Sequence, residues 1–270
     1  MIAYAPHEPN RGWHARNYNY QRLRRIMSHA FPPEPFLCLP LPEGAKFAVT
    51  EGWLYSSYEK SVHGHALHGG VDFASERGTK IVAAADGWAV ASFQAAYAGR
   101  YEGRRVGYGL GSFVQIWHPT QRTYTAYGHL ESVSPRIPAL TAKRLGDEWV
   151  PEGLHVPPEQ LRVTAAWVEQ GQCIGEMGDS GLSWGYPEEP GIRPDPASFP
   201  SWDEVHLHFE VYRRSARTLR KVVRWDPFGI YGSYEEYRSL ASREQSLWLR
   251  DAAGRPRFAA EPGGTVRGRP

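Results

Sequence analysis

Twenty-eight glycines and 22 prolines punctuate this chain of 270 residues. Proline fixes φ and removes a backbone donor, and glycine is costly inside a helix, so a chain interrupted this often cannot sustain long helices. It also carries 10 Trp, 15 Tyr and 10 Phe, and 41% of its residues are hydrophobic. That is ample material for a packed core and excludes a disordered or fibrous chain. We therefore expect a mainly β protein built from antiparallel sheets.

Strand-like runs lie at Phe47–Thr50, Lys80–Ala85, Trp88–Phe93, Ser112–His118, Thr123–Leu130, Val163–Val168, Cys173–Met177 and Val205–Tyr212. The Asp86-Gly87 pair between two of them reads as a tight hairpin turn. Three connections are too long to be turns: Ala95–Leu110, Ser132–Arg162 and Leu182–Asp203, the last with five prolines. Long connections on a β scaffold commonly wall a site. Residues 1–35, ending in the breaker Phe31-Pro32-Pro33-Glu34-Pro35, read as an N-terminal extension, residues 36–235 as one β-rich domain, and residues 236–270 as a helical patch followed by a mobile Gly/Pro/Arg-rich tail.

A net charge of +2 gives no nucleic-acid footprint, and the basic clusters Arg22–Arg25 and Arg213–Arg224 read as solvated faces. No window approaches the ~18 apolar residues of a membrane span, and the first thirty residues lack the apolar core of a secretion signal. Two cysteines, Cys38 and Cys173, exclude a disulfide scaffold and a multi-cysteine zinc site. One disulfide is possible; two buried thiols are the favoured reading.

Three histidine-bearing segments carry the chemistry: His68-Gly69-Gly70-Val71-Asp72, Tyr127-Gly128-His129-Leu130 and Val205-His206-Leu207-His208-Phe209. Either H-x-x-x-D or H-x-H alone is a weak match, and His63-Gly64-His65 is a second H-x-H. Strand parity raises the odds. Side chains at i and i+2 share a face, so His206 and His208 project together while Leu207, Phe209 and Val211 bury on the other side. The same parity puts His68 with Asp72 and sets Tyr127 beside His129. Two His and one Asp satisfy the three protein ligands of a catalytic zinc, which keeps its fourth position open. The competing reading is ordinary polar residues on the exposed face of a half-buried sheet.

The order H-x-x-x-D, Y-G-H-L, G-x-x-I-G-x-x-G-x-S-G (Gly171–Gly181) and H-L-H-F-E-V (His206–Val211) resembles the lysostaphin-like, LytM-type zinc metallopeptidases, which cleave peptide cross-bridges of bacterial peptidoglycan. The resemblance runs from about Phe36 to Ile230. It implies the lysostaphin/LytM (duplicated hybrid motif) fold, an antiparallel, sandwich-like β domain here carrying long loop insertions. It implies zinc held by His68, Asp72 and His208, with His129 and His206 as catalytic residues that are not ligands. It also implies a hydrolase acting on peptidoglycan in the periplasm or outside the cell. The alternatives are a scaffold of the same fold that activates cell-wall hydrolases, or a zinc peptidase acting on a protein substrate. Glu210 shares the parity of His206 and His208 and could hydrogen-bond a ligand imidazole. His63 and His65 could line the rim, and Trp53, Tyr55, Tyr58 and Trp184 a substrate wall.

Overall fold

The computed structural model describes residues 33–52, 68–101, 104–145, 148–153, 157–161, 164–181, 205–214, 222–230 and 246–260. The described strands, in chain order, are β1 (Leu39–Pro42), β2 (Ala48–Glu51), β3 (Val71–Ala74), β4 (Lys80–Val82) and β5 (Gly87–Tyr101). There follow β6 (Arg104–His118), β7 (Thr123–Gly128), β8 (Leu130–Val133), β9 (Ala142–Leu145) and β10 (Glu148–Pro151). The last five are β11 (Ala166–Val168), β12 (Cys173–Met177), β13 (His206–Arg214), β14 (Val222–Trp225) and β15 (Phe258–Ala259). Among the described residues the only helical segment is a 3-10 turn at Pro158–Leu161. The protein is mainly β, and its sheets are antiparallel apart from the parallel pair β1-β15.

The large sheet runs β2-β3-β13-β7-β6-β5-β10-β9, with β14 beside β13 and β11 beside β5. A three-stranded sheet, β4-β12-β8, packs under it. One face of β13 supplies Leu207, Phe209 and Val211, none of them accessible to solvent, and these join Phe73, Tyr127, Val114 and Ile116 from neighbouring strands. Ile81, Ile174, Met177 and Leu130 close the same cluster from the small sheet. Trp248 stacks on Phe209 at 5.6 Å and meets Phe228 edge-on at 5.4 Å. Residues 246–260 are thus part of this packed body: Leu249 N–H donates to Leu37 O and Leu39 N–H to Arg257 O.

Several expectations are corrected. Ala95–Leu110 is not a connection but the continuation of a long hairpin, β5 pairing β6 out to Tyr101 and Arg104. Part of Ser132–Arg162 forms β9 and β10, and β10 pairs β5 at Ala95 and Ala96, so it widens the sheet. Asp86-Gly87 is not a hairpin turn, because β4 and β5 enter different sheets. Glycine stands at 87 for close approach: a Cβ there would lie 2.4 Å from Trp117 O. Cys38 is buried, Cys173 is exposed, and both are free thiols. The Leu182–Asp203 connection, His63, His65, Trp53, Tyr55, Tyr58, Trp184, the Arg22–Arg25 cluster and the last ten residues lie outside the described residues. The described ones contain no helix long and apolar enough to cross a membrane.

A polar thread runs through the core. His118 Nδ1–H donates to Asp86 O at 2.8 Å, its Nε2 lies 2.9 Å from Thr125 Oγ1, and that oxygen lies 3.1 Å from the Tyr127 hydroxyl. Burial holds the His118 imidazole neutral, its pKa pushed down to about 4. A histidine with a folded pKa below its ordinary ~6.5 contributes stability above pH ~6.5 and loses it as pH falls toward 4, a difference of roughly 3 kcal/mol. We predict that unfolding free energy drops between pH 7 and 4 by about that much more in the wild type than in His118→Asn, read by chemical denaturation. Parallel pH profiles would refute it.

Candidate active site

β13 lies between β3 and β7, and its register determines the site. His208 pairs with Asp72 on one side and Gly128 on the other. Because β13 alternates, His206, His208 and Glu210 stand on the face opposite Leu207 and Phe209. Glycine at 70 gives the imidazole room: a Cβ there would lie 2.8 Å from His208 Nε2 and 2.5 Å from Phe209 O, whereas one at Gly128 would press on Leu110 Cδ2 at 3.0 Å.

His68, Asp72 and His208 are buried and offer donor atoms all within 4.8 Å of one another. His68 Nε2 lies 3.0 Å from His208 Nδ1 and 3.2 Å from Asp72 Oδ2, and His208 Nδ1 lies 2.9 Å from Asp72 Oδ1. The outer nitrogens fix the tautomers. His68 Nδ1–H donates to Gly52 O at 2.9 Å, and His208 Nε2–H to Glu210 Oε1 at 3.3 Å. A carbonyl and a carboxylate only accept, so neutral imidazoles would turn lone pairs toward each other and toward the Asp72 carboxylate, and a proton or a cation must sit between them. That arrangement calls for a cation. Zinc bonds of ~2.0–2.1 Å in a tetrahedron place donors about 3.3 Å apart, close to the separations found here.

His206 and His129 stand beside this cluster without joining it. His206 Nε2 is 3.6 Å from Asp72 Oδ2, and the rings of His129 and His206 meet edge-on at 4.7 Å. His129 is reached by a break in alternation. Phe209 pairs with Tyr127, whose ring is in the core, so a continued strand would bury residue 129 on that side as well. Instead His129 has φ 63°, a left-handed conformation that ends β7 and swings the imidazole to the opposite face. Tyr127 and His129 are therefore not neighbours on one face, contrary to the parity expectation. His129 N–H donates to Leu110 O at 2.7 Å and its Nδ1–H to Ser180 O at 2.9 Å.

The charges are sorted accordingly. Burial would raise the Asp72 carboxyl, but the imidazoles of His68 and His206 and hydrogen bonds from His208 and His68 outweigh it and hold it well below the usual range. Burial, helped by His206 and His208, pushes His129 well below its ordinary value. His208 is raised, because Asp72 and Glu210 overcome its burial. Behind it Glu210 is pulled to about 2, where Arg224, 3.2 Å away, and His208 outweigh burial. Sequence reasoning left Arg224 in a solvated basic cluster; only the register of β13 with β14 connects it to Glu210.

Residues 66–139 match the model of Peptidase family M23. The match is to a peptidase family and covers 74 of the 270 residues. It contains His68, Asp72 and His129, whereas His206 and His208 lie outside it and enter the site through the fold. No curated protein matches the chain. Among solved structures the chain is similar to Csd3 from Helicobacter pylori at 20% identity, over 67% of this chain and 30% of that one, TM-score 0.33. A zinc-containing peptidase from Vibrio cholerae is 19% identical over 72% of this chain and 39% of that one, TM-score 0.36. A putative glycyl-glycine endopeptidase, lytM, from Ruminococcus gnavus is 20% identical over 82% of this chain and 70% of that one, TM-score 0.41. The chain spans less than half the length of the Helicobacter and Vibrio proteins.

Because Glu210 orients the His208 ring, its loss should weaken metal binding without emptying the site. Glu210→Gln is expected to lower zinc affinity by about 10- to 100-fold in a chelator competition. Unchanged affinity would mean that the Glu210 contact does not orient the ring.

Proposed function

We propose that this protein is a zinc-dependent endopeptidase that hydrolyses peptide cross-bridges of bacterial peptidoglycan, with His68 Nε2, Asp72 and His208 Nδ1 holding the metal. The observation that carries this reading is the convergence of those three donors with two further imidazoles, drawn from chain segments far apart in sequence. Zinc, when bound, lowers the pKa of a water to about 7 and polarises a carbonyl oxygen. The protein's own residues supply the proton handling. His129 is neutral and commits Nδ1–H to Ser180, which leaves Nε2 as an acceptor for the proton of the attacking water and a carrier of it to the leaving amine. His206, beside the Asp72 carboxylate, is placed to donate to the oxygen on which charge develops. The substrate puts the site of action in the periplasm or outside the cell.

Purified protein reconstituted with zinc should bind about one ion per chain, and His208→Ala should lose most of it. Incubation with purified peptidoglycan, followed by mass analysis, should find released cross-bridge peptides. His129→Ala and His206→Ala should each cut kcat by roughly 10² to 10⁴ while keeping the metal. Failure of the zinc-loaded wild type to release peptides would overturn the proposed activity. Loss of zinc in either variant would overturn the division of roles.

A further inference from the structure

We infer that Arg77 is a positioning residue that sets the two proton-handling imidazoles, His129 and His206, in the peptidase site proposed above; the inference rests on that reading of the site. Arg77 stands in the turn between β3 and β4. Two backbone bonds fix that turn, Gly78 N–H to Met177 O at 2.9 Å and Met177 N–H to Thr79 O at 2.8 Å. From this base the guanidinium spans two segments. Nη1 and Nη2 donate to Asp179 Oδ1 and Oδ2 at 3.0 and 2.5 Å, and Nη1 donates to Glu131 Oε2 at 2.7 Å.

Each segment holds a histidine. Glu131 follows His129 by two residues. Asp179 lies in the loop Gly178–Gly181, which touches both imidazole-bearing residues: Gly178 O accepts the His206 backbone N–H at 3.2 Å, and Ser180 O accepts His129 Nδ1–H at 2.9 Å. The far side of the loop is wedged in place. A Cβ at Gly178 would lie 2.7 Å from Glu131 N, one at Gly181 2.3 Å from Gly111, and Ser180 Oγ accepts Ser112 N–H at 3.0 Å. The loop is therefore seated on β6 and the start of β8, and Arg77 fastens its near side.

The planar fork of arginine fits this task, because it engages both Asp179 oxygens at once and reaches Glu131 with the same group, which lysine cannot do. The Arg77 side chain is 40% exposed. Exposed ion pairs add little to global stability. Their geometric effect is another matter, since displacing a reacting group by about 1 Å can cost about 10² in rate.

The test uses the full chain loaded with zinc. Arg77→Met is expected to lower kcat about 10- to 100-fold with KM within about threefold, to keep its metal, and to lower Tm by no more than about 4 °C. In protein labelled with ¹⁵N-histidine, the His129 Nδ1–H resonance, assigned by its disappearance in His129→Ala, should broaden or vanish. Arg77→Lys should fall between wild type and Arg77→Met, and Asp179→Asn combined with Arg77→Met should be no slower than the worse single variant. Wild-type kcat together with an unchanged His129 resonance in Arg77→Met overturns the proposal. So does loss of zinc, or a fall in Tm beyond about 10 °C, in both Arg77 variants, because Arg77 would then be structural. A wild type that releases no peptide defeats the proposed function instead, and the His129 resonance still decides whether Arg77 sets the imidazole.

Discussion

The site depends on the register of one central strand. β13 pairs with β3 and β7 so that His208 faces Asp72 across one ladder and Gly128 across the other. Slipping it by one residue would exchange its faces, sending His206, His208 and Glu210 into the core and Leu207, Phe209 and Val211 to the site. Burying each such apolar side chain stabilises the fold by about 1.5–3 kcal/mol. The hydrophobic face therefore enforces the register, and the ligand geometry follows from it without separate provision. This is how residues 68, 72 and 208 come within hydrogen-bond distance although 136 positions separate Asp72 from His208.

His129 requires a device of its own, because the strand that carries it ends on the wrong parity. The left-handed conformation costs a non-glycine residue roughly 1–2 kcal/mol, and two hydrogen bonds hold it, from its backbone N–H to Leu110 and from its ring to Ser180. Both acceptors sit where glycines let two backbones touch. A Cβ at Gly111 would lie 2.1 Å from Ser180 O. Gly111 and Gly181 therefore bear on the His129 geometry, since filling either would displace the carbonyl that fixes its tautomer.

What the sequence made legible was what period-two alternation controls. The facing of His206 and His208 away from Leu207 and Phe209, the mainly β class and the resemblance to LytM-type peptidases could all be read from short runs. Alternation failed at His129 because a single positive φ inverts it, and nothing in Tyr-Gly-His-Leu announces which residue takes that φ. It failed at Ala95–Leu110 because Gly99, Gly103, Gly107 and Gly109 look like loop residues, whereas pairing across the hairpin carries the ladder through that stretch with irregular register. Arg224 and Arg77 were hidden for another reason. Their partners, Glu210, Asp179 and Glu131, lie on other strands and loops, and a charged side chain bears no mark of which distant carboxylate it meets.

The placement of Arg224 has an electrostatic consequence for the proposed chemistry. The pairing of β3 with β13 brings two carboxylates near one cation position, Asp72 directly and Glu210 through the far nitrogen of His208. Two uncompensated carboxylates would cancel a divalent charge and blunt its pull on a carbonyl oxygen. Arg224 lies 3.2 Å from Glu210 and offsets it, so Glu210 can orient the imidazole without drawing on the charge at the centre. With a divalent cation bound as proposed, Asp72 alone would act on it and leave about one positive charge at the centre. Burial of the donors would reduce the screening of that surplus. In the proposed reaction it would favour the carbonyl oxygen on which charge develops, with His206 adjacent to share that charge. In that reaction Arg224, held against Glu210, would keep the orienting carboxylate from becoming a competing one.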